Sequence, residues 1–484
     1  MKPLSRRRFL QSSVAAGGLL AMPRAVHAAA TPRIVVVGAG LAGLRAAHRL
    51  WTKYRLRADV YEAQDRLGGR CWTNRDLPGG QWAERGGQLI SSREKYARKL
   101  VKELGLSLID TFRVYPEGPV AYRFLGQPWS ESALFDGINE AYRNATRHGR
   151  EITWFAQHDD TNARTEYWDS RSVADWIDAY VPGGLDGALG QWVKVYFETE
   201  YAGPIDEASA LHVIYDFASG SGGYDERFVV QGGSDAMVTA LAARLPVGSV
   251  HTGASLTKLG SNADDSVRCT FDFAGGSFDV EADFVVLALP FTTLRDVDYA
   301  GVDFEPRKNT AIRQLGMGVN AKLHFQLDRP AWEPASDGES YSDLVLGSTW
   351  PGQVGLPGPQ GLLIAMNGGD FAAYAGAAAH GPAPAPVVAS HLEAMDALFP
   401  GASTAYAGVA TLDHWVADPW VKGSYSYYRK GQFTAFRGIE AKPQGRIHFA
   451  GEHTASYSSQ GTMNGAIESG ERVAKEIARA VRRL

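Results

Sequence analysis

A glycine-rich turn near the start of the chain joins a short apolar run to a helical pattern. Residues 33–37 are rich in valine and isoleucine, as in a buried parallel strand. The turn that follows has the spacing G-x-G-x-x-G, and a helix is predicted to continue from it to about Leu50. A second predicted strand, residues 58–61, ends at Glu62, which lies 19 residues past Gly43. This order of elements predicts a β-α-β unit.

The three glycines of the turn and the glutamate together match the fingerprint of a dinucleotide site. Gly38 is expected to allow the tight turn, Gly40 to let the backbone approach a pyrophosphate, and Gly43 to let helix and strand pack closely. The helix N-terminus would present free N–H groups to the phosphates, and Glu62 would accept hydrogen bonds from ribose hydroxyls. A β-α-β unit with a tight turn and no ligand is the alternative.

The first 28 residues have the pattern of a targeting segment. They contain the basic residues Arg6, Arg7 and Arg8, then a short apolar run, then small residues ending at Ala28. The paired arginines before Phe9 resemble a twin-arginine export signal, which predicts a periplasmic or secreted protein. The apolar run is too short to span a bilayer. A disordered basic tail is the alternative.

The charge of the chain limits its partners. Removing residues 1–28 takes away five basic residues and no acidic residue, which leaves 44 basic and 53 acidic residues and a net charge of −9. Such a surface argues against nucleic acid as a partner and weakly favours cationic ligands. No later apolar stretch is long enough for a transmembrane helix. The widely spaced Cys71 and Cys269 predict neither a metal site nor a disulfide framework, so two free thiols or a single bridge are the alternatives.

The length of 484 residues predicts two domains or one two-lobed body. We predict an α/β fold in which a Rossmann-like domain is built from three separate segments, residues 31–90, 225–295 and 445–484. A substrate-binding domain with a mixed sheet and helices is expected from residues 91–224, which look mostly helical, and 296–444. Local patterns predict strands at 284–289, 320–327 and 361–367, a surface loop at 369–390 with a helix from about Val387, and a last helix from about Thr462.

The segment after the second strand narrows the choice of cofactor. Residues 62–73 follow the pattern E-A-x-x-R-x-G-G-R-x-x-T, in which a glycine turn beside a cation suits a second pyrophosphate contact. A solvated Arg-Gly turn is the alternative. Together with residues 82–88, 227–234 and 448–470, this pattern resembles the flavin amine oxidase family, which includes monoamine, polyamine and L-amino acid oxidases. The resemblance implies FAD, held by Gly38, Gly40, Gly43, Glu62, Arg66, Gly69, Arg70, Gly87, Gln88, Leu256, Trp420, Glu452, Thr462 and Met463.

The same resemblance assigns catalytic roles. Lys322 matches the lysine that holds a water against flavin N5 and assists reaction with oxygen, and a solvated strand lysine is the alternative. Tyr425 matches an aromatic wall that orients an amine beside the flavin, and core packing is the alternative. Thr462 stands where monoamine oxidases place the opposite aromatic wall, which implies room for a longer or bulkier substrate. Ser424 stands where covalent members have cysteine, which implies non-covalent FAD. His324 is expected to be structural or solvated.

The activity implied by the resemblance is that of an FAD-dependent amine oxidase. A hydride equivalent would pass from the amine α-carbon to flavin N5, and the imine would hydrolyse to an aldehyde or ketone plus ammonia or a smaller amine. Oxygen, giving hydrogen peroxide, or another electron acceptor would reoxidise the flavin. The expected partner is a small-molecule amine, and a homodimer is compatible with the resemblance.

Alternatives to this activity stay open. An L-amino acid oxidase normally needs an arginine for the substrate carboxylate, and residues 86–90 contain none, although Arg85 precedes them. A flavoprotein that binds a ligand without turnover is another alternative. The export signal disfavours a histone demethylase, and the aromatic residues 415–428 disfavour a desaturase or porphyrinogen oxidase. The helical segment also contains an acidic run: Glu198, Glu200, Asp206 and Glu207. A solvated face is expected for this run, and a cation-recognising entrance is the alternative.

Overall fold

The structure is a computed structural model that describes residues 31–115, 118–219, 225–352, 358, 360–368 and 378–483. The predicted targeting segment and residues 369–377 of the predicted loop at 369–390 therefore lie outside the described residues. Residues 33–484 form one compact unit.

A five-stranded parallel sheet forms the nucleotide-binding part of this unit. Its strand order is β23-β13-β1-β2-β9, so strands from the beginning, the middle and the end of the chain lie side by side. β1 and β13 are buried along their whole length, as β-branched runs in a parallel sheet should be. The long helices α1 and α13 pack against each other beside this sheet. The predicted Rossmann-like arrangement of discontinuous segments is confirmed.

A mixed eight-stranded sheet forms the second layered part. Its order is β20-β21-β16-β19-β18-β17-β6-β7, and β16, the third strand, is buried at every position. The pairs are antiparallel except β17 with β6. The strands predicted at 320–327 and 361–367 are β16 and β19, neighbours in this sheet. A four-stranded sheet, order β12-β11-β10-β14, and three two-stranded pairs complete the described strands.

The prediction that residues 91–224 are mostly helical is confirmed for the described residues, but the segment also contains strands that were not predicted. This segment carries helices, but it also contributes β5 to a pair with β8 and the β6–β7 hairpin to the eight-stranded sheet. The hairpin turns at Leu125 and Gly126, both with positive φ. In β6, two buried residues alternate with two half-buried ones, as expected for a strand. In the sequence, so short an alternation cannot be distinguished from the helical patterns around it.

The helices mostly begin where the sequence predicts. α1 runs to Tyr54, one turn past the predicted end, α11 begins at Ala385, and α13 begins directly after Thr462. No helix among the described residues has both the length and the apolar character needed to cross a membrane. The helices are α1 Leu41–Tyr54, α2 Lys95–Leu104, α3 Glu131–Gly149, α4 Ala163–Asp169, α5 Val173–Tyr180, α6 Ala188–Glu200, α7 Leu211–Ala218, α8 Asp235–Ala242, α9 Phe291–Leu294, α10 Pro306–Gln314, α11 Ala385–Leu398, α12 Gln432–Phe436 and α13 Met463–Val481.

The strands vary from two to nine residues in length. They are β1 Ile34–Val37, β2 Asp59–Tyr61, β3 Thr73–Asn74, β4 Ala83–Glu84, β5 Leu108–Asp110, β6 Ala121–Phe124, β7 Gln127–Trp129, β8 Phe228–Val230, β9 Val250–His251, β10 Ser255–Ser261, β11 Val267–Phe273, β12 Gly276–Ala282, β13 Phe284–Leu287, β14 Asp298–Gly301, β15 Gly316–Met317, β16 Ala321–Leu327, β17 Ser340–Ser342, β18 Ser348–Pro351, β19 Gly361–Asn367, β20 His380–Pro382, β21 Tyr406–His414, β22 Ser426–Tyr427 and β23 Ile447–Phe449.

Candidate active site

A large cavity connects the end of the parallel sheet with the second sheet and the helices beside it. Its volume is about 1170 Å³. Its walls include Gly38 and Gly40 after β1, Lys322 on β16, Tyr425 before β22 and Glu200 at the end of α6. The cavity therefore runs past almost every residue that the sequence assigned to cofactor or substrate.

The glycine turn has the geometry that its spacing predicts. Gly38 has φ +97°, and a Cβ there would lie 2.7 Å from the carbonyl oxygen of Ala288. A Cβ on Gly43 would overlap the carbonyl oxygen of Gly38. At Gly40, in contrast, a Cβ would meet only the carbonyl oxygen of Gly68, at 3.8 Å. Gly38 and Gly43 are thus required by the backbone, whereas Gly40 leaves open space on the cavity wall.

Glu62 closes this end of the cavity. Its carboxylate accepts hydrogen bonds from the N–H of Ala39 at 2.8 Å and of Gln64 at 3.0 Å. Burial raises the pKa of Glu62, and these hydrogen bonds partly offset that rise. The side chain lines the cavity with lone pairs that remain available for ribose hydroxyls.

The remaining residues assigned to this end differ in position. Leu256 and Gly69 line the cavity, as does Trp420, whose residue surface is 41% exposed. Arg66 does not line it, because its guanidinium stacks on Trp72 at 3.9 Å and donates to the carbonyl oxygen of Gly69. The structure therefore places Arg66 behind the glycine turn, where it supports the turn.

Glu452 lies at the junction of three chain segments. One carboxylate oxygen accepts a hydrogen bond from Arg70 Nη1 at 2.9 Å, and the other accepts from Ser426 Oγ at 2.7 Å and from the N–H of Gly461 at 2.9 Å. Burial raises the pKa of Glu452, but the charge of Arg70 and the other donors hold it below the ordinary value. The carboxylate is therefore ionised and fixes the two segments that flank Tyr425 and Thr462.

Lys322 lies on the opposite wall. Its Nζ donates to the carbonyl oxygen of Gly86 at 2.8 Å and to Gln88 Oε1 at 3.2 Å, and it lies 5.3 Å from the ring of Trp350. Burial lowers the pKa of Lys322 to about 8, although nearby carboxylates, Glu84 first among them, counteract part of the shift. Lys322 is therefore not a solvated strand lysine.

Tyr425 is fixed through its hydroxyl. The hydroxyl donates to the carbonyl oxygen of Thr199 and accepts from Asn320 Nδ2 at 2.7 Å. The same Asn320 amide donates to Thr199, so the tyrosine is tied to the end of α6. Ser424, its neighbour, lines the cavity with a hydroxyl that accepts from the N–H of Asn320. The ring of Tyr425 thus forms a fixed wall of the cavity.

The start of α13 faces the same space. The Thr462 side chain accepts a hydrogen bond from the N–H of Gly465, which makes it the N-cap of α13. Met463 packs against Gly87, since a Cβ on that glycine would lie 2.7 Å from Met463 Cγ. Both Thr462 and Met463 line the cavity, so the partial positive charge of the helix start faces into it.

Arg85 is committed to a buried ion pair. Its Nη1 lies 2.8 Å from Asp413 Oδ1, and the ring of His380 bridges Asp413 and Asp418 at 2.8 and 3.1 Å. His324, on the same face of β16 as Lys322, is fully buried between Thr411 and the carbonyl oxygen of Glu84. Of the two expectations for His324, the structural one is confirmed.

A comparison with protein families settles the affiliation. A profile described as flavin-containing amine oxidoreductase matches residues 41–478. The chain belongs to this family.

Relatives of known activity cover nearly the whole chain. An L-amino acid dehydrogenase from Synechocystis sp. is 27% identical over 469 residues, which are 92% of this chain and 94% of that protein. Flavin-containing amine oxidase A from Canis lupus familiaris is 26% identical over 490 residues, 93% of this chain and 86% of that protein. The cyclohexylamine oxidase structure from Brevibacterium oxydans has a TM-score of 0.81 at 19% identity and covers 93% of this chain and 100% of that one. The predicted α/β fold is therefore confirmed.

Membership of the flavin-containing amine oxidoreductases implies a flavin, and the cavity fits FAD. Gly40 leaves space beside the start of α1 for a pyrophosphate, and Glu62 offers acceptors to a ribose. The start of α13 suits the ring edge that becomes negative on reduction. Gly86, Gly87 and Gln88 form the wall beside Lys322. The chain therefore offers groups to the pyrophosphate, to a ribose and to the flavin ring.

Sequence reasoning missed several residues of the site. Asn320 is 3% exposed and holds Tyr425, and its spacing of two from Lys322 in a strand was the available signal. Trp350 had no local signal. The cavity wall also carries five carboxylates, which we name the distal wall and of which only Glu200 was noted in the sequence: Glu200, Asp216, Glu226, Asp337 and Glu339.

The acidic run of the helical segment divides between two settings. Asp206 and Glu207 are exposed and lie off the cavity, as expected for a solvated face, and Glu207 pairs with Arg429. Glu198 is buried, and Glu200 lines the cavity. Both cysteines are free and buried, and no cluster suited to a metal ion occurs within the described ranges.

Proposed function

We propose that this protein oxidises an amine at the carbon next to nitrogen, using non-covalently bound FAD. The observation that carries the proposal is the convergence of Lys322, Tyr425 and the start of α13 on one cavity that also holds the dinucleotide fingerprint. When bound, the flavin supplies the redox chemistry, since it takes up the hydride equivalent. The rest of the catalytic task falls to the protein.

The side chains around Tyr425 and Lys322 suit an amine that approaches as an ammonium cation and reacts in its neutral form. The ring faces of Tyr425 and Trp350 attract an ammonium group on approach. Tyr425 is fixed by Asn320 and Thr199, so it holds one orientation of the substrate at low entropic cost. Lys322 holds its Nζ at the carbonyl of Gly86, in a position to bind a water or to stabilise negative charge on oxygen.

The arginines of the cavity favour amines over amino acids. Arg70 donates through Nη1 to Glu452 and to the carbonyl oxygen of Ser424, and Arg85 donates to Asp413, so the charge of each arginine is already paired with a carboxylate of the protein. Arg93 also lines the cavity, but it is exposed just before α2. Because a relative is an L-amino acid dehydrogenase, oxidation of an L-amino acid is the competing proposal.

Anaerobic mixing of the purified yellow protein with paired substrates tests the proposal. We expect an amine to bleach the flavin absorbance faster than its α-carboxylated analogue, by about tenfold or more at equal concentration, because Arg70 and Arg85 already pair with Glu452 and Asp413. The reverse preference would favour the amino acid proposal. A flavin that no amine and no amino acid reduces would indicate binding without turnover.

Non-covalent binding leads to a separate prediction. Ser424 lines the cavity where covalent members of the family have cysteine, and a hydroxyl does not form the thioether link. Acid precipitation should therefore leave a colourless pellet and release all the FAD into the supernatant, as measured by absorbance. Yellow colour that stays with the washed, denatured chain would contradict this prediction.

We also propose a cellular location for the protein, the periplasm or the medium. The basic, apolar and small-residue pattern of residues 1–28 supports export through the twin-arginine route, after the cofactor is bound. Replacing Arg6 and Arg7 with lysine should keep the protein in the cytoplasm, as judged by cell fractionation.

A further inference from the structure

Lys322 differs in its partners from Arg70 and Arg85, two other cations on the cavity wall. The two arginines contact carboxylates, at 2.9 and 2.8 Å. Lys322 instead donates to two neutral oxygens, the carbonyl of Gly86 at 2.8 Å and Gln88 Oε1 at 3.2 Å. An ammonium has three N–H donors, and Nζ has no third acceptor among the described residues. One N–H and the charge of Lys322 are therefore available to a ligand in the cavity.

The side-chain amide of Gln88 is fixed in one orientation. Its oxygen accepts from Lys322 Nζ and also from Trp350 Nε1, at 3.4 Å. An ammonium and an indole N–H can only donate, so the atom that faces both must be the amide oxygen, and its two lone pairs are then used. Exchanging the amide oxygen and nitrogen would set donors against donors. The contacts thus determine where the NH₂ group of Gln88 lies.

The amide nitrogen of Gln88 opens into the cavity. Within the part of the chain that the structure describes, Nε2 has no hydrogen-bond partner, and it is not closed off by protein. Gln88 is 9% exposed and lines the cavity, so the space beside this nitrogen is cavity space. An unpaired NH₂ group next to an ammonium suits an acceptor or an anion, and it does not suit a cation.

The backbone that carries Gln88 is closely packed on both sides. A Cβ on Gly86 would overlap the carbonyl oxygen of Arg70, and a Cβ on Gly87 would lie 2.7 Å from Met463 Cγ. The N–H of Gly87 also donates to the carbonyl oxygen of Arg70, at 3.1 Å. The segment therefore has little room to shift, and its donors are preorganised.

We propose that Gln88 Nε2 and Lys322 Nζ form a two-donor site, which binds oxygen as it becomes negatively charged and also binds small anions. This inference rests on the proposed function and adds Gln88 to its oxidative half-reaction. Dioxygen takes two electrons and one proton from the reduced flavin and a second proton from solvent, and it leaves as hydrogen peroxide. Negative charge builds on oxygen before it is protonated, and donors already aimed at that charge need no reorganisation.

The charge of Lys322 depends on groups from several elements. Burial lowers its pKa to about 8, and three carboxylates on β4, on β21 and before β8 oppose that shift: Glu84, Asp413 and Glu226. His324, on the same strand, faces Lys322 as a neutral ring at neutral pH, because burial lowers its pKa to about 4. Gln88 contacts Nζ directly and carries no charge. Substitutions at Gln88 therefore change one neighbour of Lys322 and leave the charged ones in place.

Gln88→Met is the direct test, because methionine keeps the length of the side chain and removes its donor and its acceptor. Stopped-flow absorbance of the holoprotein gives the two half-reactions separately. We expect the oxygen reaction to slow by about tenfold or more and reduction by an amine to change by less than about threefold. Titration of the oxidised holoprotein with azide, followed by flavin absorbance, needs no turnover. The apparent Kd for azide should rise by about tenfold.

Gln88→Glu distinguishes an effect on the site from mere packing. A carboxylate against Nζ favours the ammonium and raises the pKa of Lys322. The pH above which the oxygen reaction falls should therefore move up from about 8 by about one unit or more. The added negative charge repels an anion, so azide should bind more weakly than to Gln88→Met. A residue that only fills space would leave that pH where it is.

Gln326→Met is the matched control. Gln326 is buried on the same face of β16 as Lys322, and its Nε2 donates to Pro78 and Gln81, off the cavity. The same chemical change at this position should leave both half-reactions and the Kd for azide within about twofold. The FAD content and the thermal midpoint of each variant show whether it is folded.

The outcomes separate the two-donor site from the amine chemistry. A folded Gln88→Met variant that keeps the oxygen rate and the azide affinity of the unmodified protein would overturn the two-donor site. Equal slowing of both half-reactions would also overturn it, since Gln88 would then support the cavity as a whole. Both results leave the amine oxidase proposal in place. If no amine reduces the flavin of the unmodified protein, that proposal fails, and the azide titrations still decide whether the two donors bind an anion.

Discussion

Gly43→Ala is expected to yield a protein that no longer retains FAD and unfolds at a clearly lower temperature. The added Cβ would overlap the carbonyl oxygen of Gly38, and a backbone atom in the turn after β1 cannot move aside without displacing that turn. The cost of overpacking at such a contact is at the upper end of the usual range, about 3 kcal/mol. The displaced turn is the one that leaves space at Gly40 for the pyrophosphate. The ratio of absorbance at the flavin band to that at the protein band, together with a thermal melt, measures both effects.

Gly260→Ala is the matched control for this change. Gly260 lies in β10, away from the cavity, and a Cβ there would meet no atom within 4 Å. Loss of glycine flexibility alone should therefore leave FAD content unchanged and stability equal or slightly higher. If Gly43→Ala bound FAD as well as Gly260→Ala does, close packing of α1 against the turn at Gly43 would not be needed for FAD binding.

The sequence was most informative where a single residue type answers a local backbone requirement. The spacing of Gly38 and Gly43 predicted both the turn and its function, because only a missing side chain satisfies those contacts. β16 could likewise be predicted from a local apolar pattern. The alternation of that strand also placed Lys322 and His324 on one face.

Features that depend on contacts between distant segments could not be predicted from local sequence patterns. The distal wall brings together five carboxylates, from Glu200 to Glu339, on elements that are adjacent only in the folded chain. The sequence left open where Arg85 points, and its pairing with Asp413 depends on β21 lying beside β16. The β6–β7 hairpin could not be predicted, because its alternation is short and becomes meaningful only when β6 pairs with β17 near the edge of the sheet. Resemblance supplied the role of Glu452 near the cofactor, but its three donors required the structure.

Replacing Lys322 with methionine is expected to slow reoxidation of the protein-bound flavin by oxygen about 100-fold. Oxygen becomes negative as it takes up electrons, and an ammonium held at the carbonyl of Gly86 stabilises that charge in a site of low polarity. Reduction by an amine should change by less than about tenfold, because the substrate is oriented by Tyr425. Stopped-flow absorbance measures the two half-reactions separately. Equal slowing of both would refute this role for Lys322.

Two comparisons make the assignment of Lys322 specific. Lys308 is also buried, with its Nζ bonded to the carbonyl oxygen of Glu440 off the cavity, so Lys308→Met should reduce stability without changing the ratio of the half-reactions. The second comparison is the pH profile. Burial lowers the pKa of Lys322 to about 8, so its ammonium is present below that pH and lost above it. The oxygen rate should therefore fall as the pH rises through about 8 in the unmodified protein and stay level in Lys322→Met, since methionine carries no charge to lose.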